Sequence, residues 1–201
     1  MLFRVQATLG WLVPSVCSLI ASARLYSPSA RCTCLASDTR WPDRGMQLTR
    51  QIGEHLVAAE LGRMGYIAAP FAGNVPLYDL FAADSRGHAI PIQVKAINGG
   101  SWQFSADTFL NIEVANGEQV VKGTTKLLNP NLLCVFVLLI GRGKDEFYLF
   151  RLSDLQKHCA KVYRPRGQSS RNPDSRHCAV SPKEFSRFKE NWKLLESVLP
   201  P

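Results

Sequence analysis

Apolar residues recur at helical spacing over residues 48–64. Leu48, Ile52 and Leu56 stand four apart, Val57, Leu61 and Met64 follow at steps of four and three, and Gly65 ends the run. Beyond it the period changes to two. "VPLYDLFAAD" and "HAIPIQVKAI" flank Asp84-Ser85-Arg86-Gly87, a turn that folds one short strand back on the other. "SWQFSAD" places Trp102 and Phe104 on one side and Gln103 and Ser105 on the other, and an Asn98-Gly99-Gly100 turn joins it to the strand before. Strand-like sequence then surrounds Asn116-Gly117. "LLCVFVLLI" is apolar throughout, as a central strand is, and "FYLFRL" returns antiparallel to it after the turn "GRGKDE". A helix starts at Ser153-Asp154-Leu155, the stretch 164–176 reads as turn and linker, and Phe185, Phe188, Trp192 and Leu195 predict one amphipathic helix near the end. The pattern predicts an α/β domain: a mixed sheet of about five strands, the Leu48 helix on one face and C-terminal helices elsewhere.

Within this frame one strand carries chemistry. Gln93 and Lys95 are two apart, so in extended backbone they share a face while Ile92 and Val94 point away. Asp79 precedes Gln93 by fourteen positions, and the intervening turn can bring its carboxylate beside them. An acid, an amide oxygen and an ammonium suit phosphodiester hydrolysis, in which oxygen ligands hold Mg²⁺ and the lysine orients the nucleophile or steadies developing charge. A polar-x-polar strand after an aspartate is also what a solvated sheet face looks like. The helix adds two carboxylates: Glu54 lies beside Leu61 on the helix surface, and Glu60 lies four residues from both Leu56 and Met64. Periodicity alone allows either one to face a site.

The ordered set "GEHLVAAELGRMGY", "VPLYDLFAAD" and "IQVK" resembles the PD-(D/E)xK nuclease superfamily over roughly residues 48–155, especially its branch similar to archaeal Holliday-junction resolvases and small restriction-like proteins. In that branch a helix glutamate stands eleven residues before a Gly-aromatic pair, which selects Glu54 before Gly65-Tyr66. The resemblance implies a restriction-endonuclease-like fold and a Mg²⁺- or Mn²⁺-dependent endonuclease acting on DNA, branched or foreign DNA included. Its catalytic set would be Glu54, Asp79, Gln93 and Lys95, with Asp79, Gln93 and Glu54 as metal ligands. Two departures stand out: Pro76 is not adjacent to Asp79, and the second acid is the amide Gln93, which brings one less negative charge to the metal. A binding module of the same fold without catalysis, and an interaction protein, are the alternative readings.

Charge sharpens the picture. The chain of 201 residues is 46% hydrophobic and 20% charged, with a net charge of +8. Residues 51–150 hold seven Lys/Arg against nine Asp/Glu, whereas 151–201 hold eleven against five. A slightly acidic core beside a basic arm fits a metal pocket next to a polyanion, and Lys157, Lys161, Arg164, Arg166 and Arg171 are the expected nucleic-acid contacts. Residues 1–45 differ in character: no acid precedes Asp38, and arginines alternate with serines. A secretory signal, an organellar presequence and a disordered extension compete there. The position of Met46 just before the helix favours the last, so the nuclease-like domain is expected to span 46–201. A membrane span is not expected, because the stretch is dotted with polar residues and broken by Pro14.

Six cysteines show no pairing pattern, and His158-Cys159 and His177-Cys178 lack the spacers of a zinc site. Reduced thiols in the cytoplasm are the default, with an organellar or secreted location if residues 1–45 are a targeting segment. His55 and His88 show no partner. No phosphate-cradling glycine loop or Ser-His-Asp arrangement is visible, no small-molecule cofactor is expected, and a homodimer is compatible with the chain.

Overall fold

The 18 residues Met46–Arg63 form helix α1. It ends where Gly65 adopts a φ of 88° and lets the Gly65 and Tyr66 N–H groups reach back to the Gly62 and Leu61 carbonyls at 3.1 and 3.0 Å. Such a left-handed cap satisfies carbonyls that the last turn would leave open. The computed structural model describes residues 46–73, 76–167 and 172–199, all within one compact unit. The extension 1–45, with Cys17, Cys32 and Cys34, and the basic residue Arg171 lie outside the described residues.

Among the described residues nine strands follow α1. They are β1 (Ile67–Pro70), β2 (Leu80–Ala83), β3 (Ala89–Ile97), β4 (Trp102–Ser105), β5 (Leu110–Ala115), β6 (Glu118–Thr124), β7 (Leu133–Leu138), β8 (Glu146–Arg151) and β9 (His177–Val180), with α2 (Leu152–Val162) after β8 and α3 (Lys193–Val198) last. Five strands make the main sheet, in the order β1-β2-β3-β7-β8. It is mixed: β3 and β7 run parallel, with Gln93 opposite Cys134 and Lys95 opposite Phe136, and the other neighbours are antiparallel. The fold is thus α/β with a mixed sheet flanked by helices, as the pattern predicts. β4 pairs with β9, and β5 with β6 around an Asn116-Gly117 turn in which both residues have positive φ.

Alternation along the strands builds two cores. Leu133, Val135 and Val137 of β7 and Leu149 of β8 join Ile92, Val94, Val57 and Leu61 under α1. Cys134, Phe136, Tyr148 and Phe150 point to the opposite face and meet Trp102, Phe109 and Phe185, covered by Leu155 and Cys159 of α2.

The single amphipathic helix expected near the C-terminus is not what forms. Ser186–Phe188 is one 3-10 turn, Glu190 takes a φ of 52°, and α3 starts only at Lys193. Phe185 and Phe188 pack on the aromatic face, while Trp192 and Leu195 pack on the α1 face. One straight helix cannot serve both sides of a sheet. The chain wraps the β8 edge instead, where Glu190 donates its N–H to the Phe147 carbonyl at 2.7 Å and accepts the Phe147 N–H on its carboxylate at 3.0 Å. The linker-like stretch is also anchored at its described ends: buried Gln119 donates to the Pro173 and Ser175 carbonyls at 2.6 and 3.1 Å.

Candidate functional site

Strand lengths create the site. β3 has nine residues and β2 only four, and their pairing stops at Leu80 opposite Ile92. Past that point no strand among the described residues lies on the β2 side of β3, and the Val94 N–H, which points that way, would lack a strand partner. Asp79, the residue before β2, fills the notch: its Oδ2 accepts the Val94 N–H at 2.8 Å, and its own N–H donates to the Ile92 carbonyl at 3.0 Å. The carboxylate therefore lies at the level of the sheet, within reach of both faces.

From the α1 side comes Glu54, whose side chain is 10% exposed. Arg50, one turn earlier on α1, donates its Nε to Glu54 Oε1 at 2.7 Å and a terminal guanidinium nitrogen to Asp79 Oδ1 at 2.8 Å. Glu54 and Asp79 thus converge on one cation. Glu60, the competing helix carboxylate, is ion-paired with Arg63 instead. α1 comes this close to the sheet because residue 53 is glycine: a Cβ there would stand 2.5 Å from the Ala96 Cβ.

From the opposite face come Gln93 and Lys95. Lys95 Nζ lies 4.7 Å from the centroid of the Phe104 ring. Burial lowers the Lys95 pKa below the ordinary lysine value, attraction to Asp79 opposes that shift, and repulsion from Arg50 adds to it. The lysine is therefore within electrostatic range of both the notch and its guanidinium. The Gln93 Oε1 faces the Cys134 Sγ across the parallel pairing, at 3.8 Å. Burial raises the Cys134 thiol pKa, and the Asp79 charge raises it further.

Two residues of this site escaped the sequence reading, and each leaves a signal. Arg50 and Glu54 have the four-residue separation of a helix-surface ion pair. Gly53 stands in mid-helix, where glycine costs about 1 kcal/mol relative to alanine unless packing requires it. His88, which shows no partner in the sequence, has one in the fold: its Nδ1 is 2.9 Å from Asp84 Oδ2 in the β2–β3 turn.

The basic residues of the C-terminal part sit on α2 and just after it. Lys157 is 4.0 Å from Asp154, Lys161 is exposed, and Arg164 turns its guanidinium back to the Lys161 carbonyl at 2.9 Å. Arg164 and Arg166 line a cleft of about 320 Å³ with Tyr163, His177, Cys178 and Glu184. Cys159 and Cys178 are both buried free cysteines. Among the described residues no three His, Cys, Asp or Glu side chains form a metal-holding group. The notch itself offers two such side chains, Glu54 and Asp79, while the Gln93 amide oxygen meets Cys134 Sγ.

No family model matches this chain, and no curated protein matches it. Among solved structures, a bacterial homing endonuclease, I-Ssp6803I, is similar over 77% of this chain and 95% of that chain, at 15% sequence identity and a TM-score of 0.44. No helix among the described residues is long and apolar enough to cross a membrane.

Proposed function

We propose that this chain is a metal-dependent endonuclease that hydrolyses DNA phosphodiester bonds at the notch beside β3. The observation that carries the reading is the convergence of Glu54 and Asp79 on a single positive charge, with Lys95 in range from the other face. The Arg50 guanidinium stands in for a cation there, and carboxylate and amide oxygens are the donors that Mg²⁺ or Mn²⁺ takes. Asp79, Glu54 and the Gln93 amide oxygen would hold the ion. When bound, it would supply Lewis-acid polarisation of the phosphodiester and a water of lowered pKa.

The chain's own residues do the positioning. Asp79 is pinned by the Val94 N–H through Oδ2, so its Oδ1 does not need to be ordered at the moment of reaction. Lys95, partly withdrawn from water, would hold a positive charge near the phosphate or the attacking water, and the low local dielectric strengthens its attraction to an anion. Exposed cations on α2 and after it would hold further phosphates without reading sequence.

The test incubates the full chain with supercoiled, linear and branched DNA, in Mg²⁺, in Mn²⁺ and in EDTA. Metal-dependent cleavage is expected, lowered about a hundredfold or more by either Asp79→Ala or Lys95→Ala. Cleavage that survives both substitutions together would remove the notch from the mechanism. Gln93→Glu should lower the Mg²⁺ concentration required, since it adds a negative charge to the donor set.

A further inference from the structure

We infer that Arg50 is a built-in competitor of the metal, an internal counter-ion that keeps Glu54 and Asp79 together in the metal-free protein and gives way when a divalent cation enters. The inference rests on the metal-dependent reading above and concerns regulation of that same site.

Three observations carry it. First, the two carboxylates are largely withdrawn from water, with side chains 10% and 11% exposed, and they share one ion-pair partner: Nε of Arg50 holds Glu54 Oε1 at 2.7 Å and a terminal nitrogen holds Asp79 Oδ1 at 2.8 Å. Two buried carboxylates that converge without a cation would repel each other, and an arginine, which keeps its charge throughout the accessible pH range, removes that repulsion with one fork. Second, the second Asp79 oxygen is committed to the Val94 N–H. The Asp79 oxygen that points toward Glu54 is the one Arg50 holds. A cation that takes Asp79 Oδ1 and Glu54 Oε1 would have to displace the guanidinium, so metal and Arg50 compete for the site. Third, the Arg50 side chain is itself 43% exposed. It reaches the pair from the rim on a long stem, with its side chain bordering solvent.

Metal binding is then an exchange, and the observed affinity is the intrinsic one reduced by the share of protein in which Arg50 holds the site. Arginine is suited to this because two charge-assisted hydrogen bonds order the acids in the geometry an ion would use. A lysine would bring a point charge without the fixed planar fork that holds one oxygen of each acid.

The experiment measures Mn²⁺ binding by calorimetry on the full chain and on Arg50→Gln and Arg50→Lys, in parallel with thermal melts in EDTA and in Mn²⁺ and without any DNA present. Arg50→Gln is expected to bind Mn²⁺ about tenfold more tightly than the parent, to melt lower in EDTA, and to gain more from added Mn²⁺. Arg50→Lys should fall between the two. A merely structural arginine would lower the melting temperature without tightening Mn²⁺ binding. Equal or weaker binding by a folded Arg50→Gln therefore overturns the inference and leaves the metal reading standing. Absence of Mn²⁺ binding in parent and variants alike overturns both.

Discussion

The two faces of the five-stranded sheet are built from different chemistry. Under α1 the core is aliphatic, with Val57, Leu61, Leu80, Ile92, Val94, Val135 and Leu149, and the helix comes near enough that residue 53 must lack a side chain. On the other face the core is aromatic: Trp102, Phe104, Phe136, Phe150 and Phe185 meet with centroid separations of 4.7 to 6.4 Å along the contacts that join them, and α2 caps the group. The candidate site lies at the notch where the two meet: Glu54 and Arg50 come from the close-packed side, Lys95 and Gln93 from the aromatic side, and Asp79 stands between them in the sheet. A polar cluster belongs there, because neither core could take two carboxylates without losing its packing.

Substitutions that remove one face at a time would break or sharpen this contrast. Phe136→Ala, at the centre of the aromatic face, should cost about 3–5 kcal/mol of unfolding free energy in denaturant titrations. It should also disturb the site through Phe104, which stacks on Phe136 and underlies Lys95. A loss below about 1 kcal/mol would mean that the aromatic face is not a packed core. Gly53→Ala on the other side should cost less, about 1–3 kcal/mol, because the added methyl meets the Ala96 Cβ and neither atom lies at the end of a flexible chain. Its more telling effect would be weaker Mn²⁺ binding, since Glu54 is the next residue and moves with the helix; a neutral outcome in both measurements would deny the close approach.

The smallest expected effect separates hairpin geometry from both faces. Burial raises the Asp84 carboxyl pKa, but hydrogen bonds from the His88 ring and from the His88 and Arg86 N–H groups outweigh that and hold it at about 2, against an ordinary 3.8. A carboxyl held low in the folded state contributes stability above its unfolded value and loses it as pH falls through the folded one. The melting temperature should therefore drop between about pH 4 and pH 2, and Asp84→Asn should flatten that part of the profile while lowering the melting temperature at neutral pH. An unchanged profile would show that the Asp84 contacts do not persist in solution.

Much of the fold is readable residue by residue. The four-and-three spacing of Leu48 to Met64 marks α1, Asn116-Gly117 marks a hairpin, and the unbroken apolar run 132–140 marks a strand enclosed by two others, because periodicity records which side of a local element meets the core. The alternation of Gln93 and Lys95 against Ile92 and Val94 places two members of the candidate set on one face for the same reason. Local spacing does not record a partner far along the chain. Arg50 reaches Asp79 across 29 positions, and Gly53 answers to Ala96, so the counter-ion and the close approach exist only once α1 lies on β3. The C-terminal segment shows the limit most plainly. Phe185, Phe188, Trp192 and Leu195 keep helical spacing in sequence, but two opposite cores compete for them, and burying both pairs favours a turn around the β8 edge over one straight helix. What the sequence determined by itself is which residues seek a core and with what local period; which core each one reaches, and which charges meet at the notch, was decided by tertiary structure, because burial and charge pairing depend on distance in space.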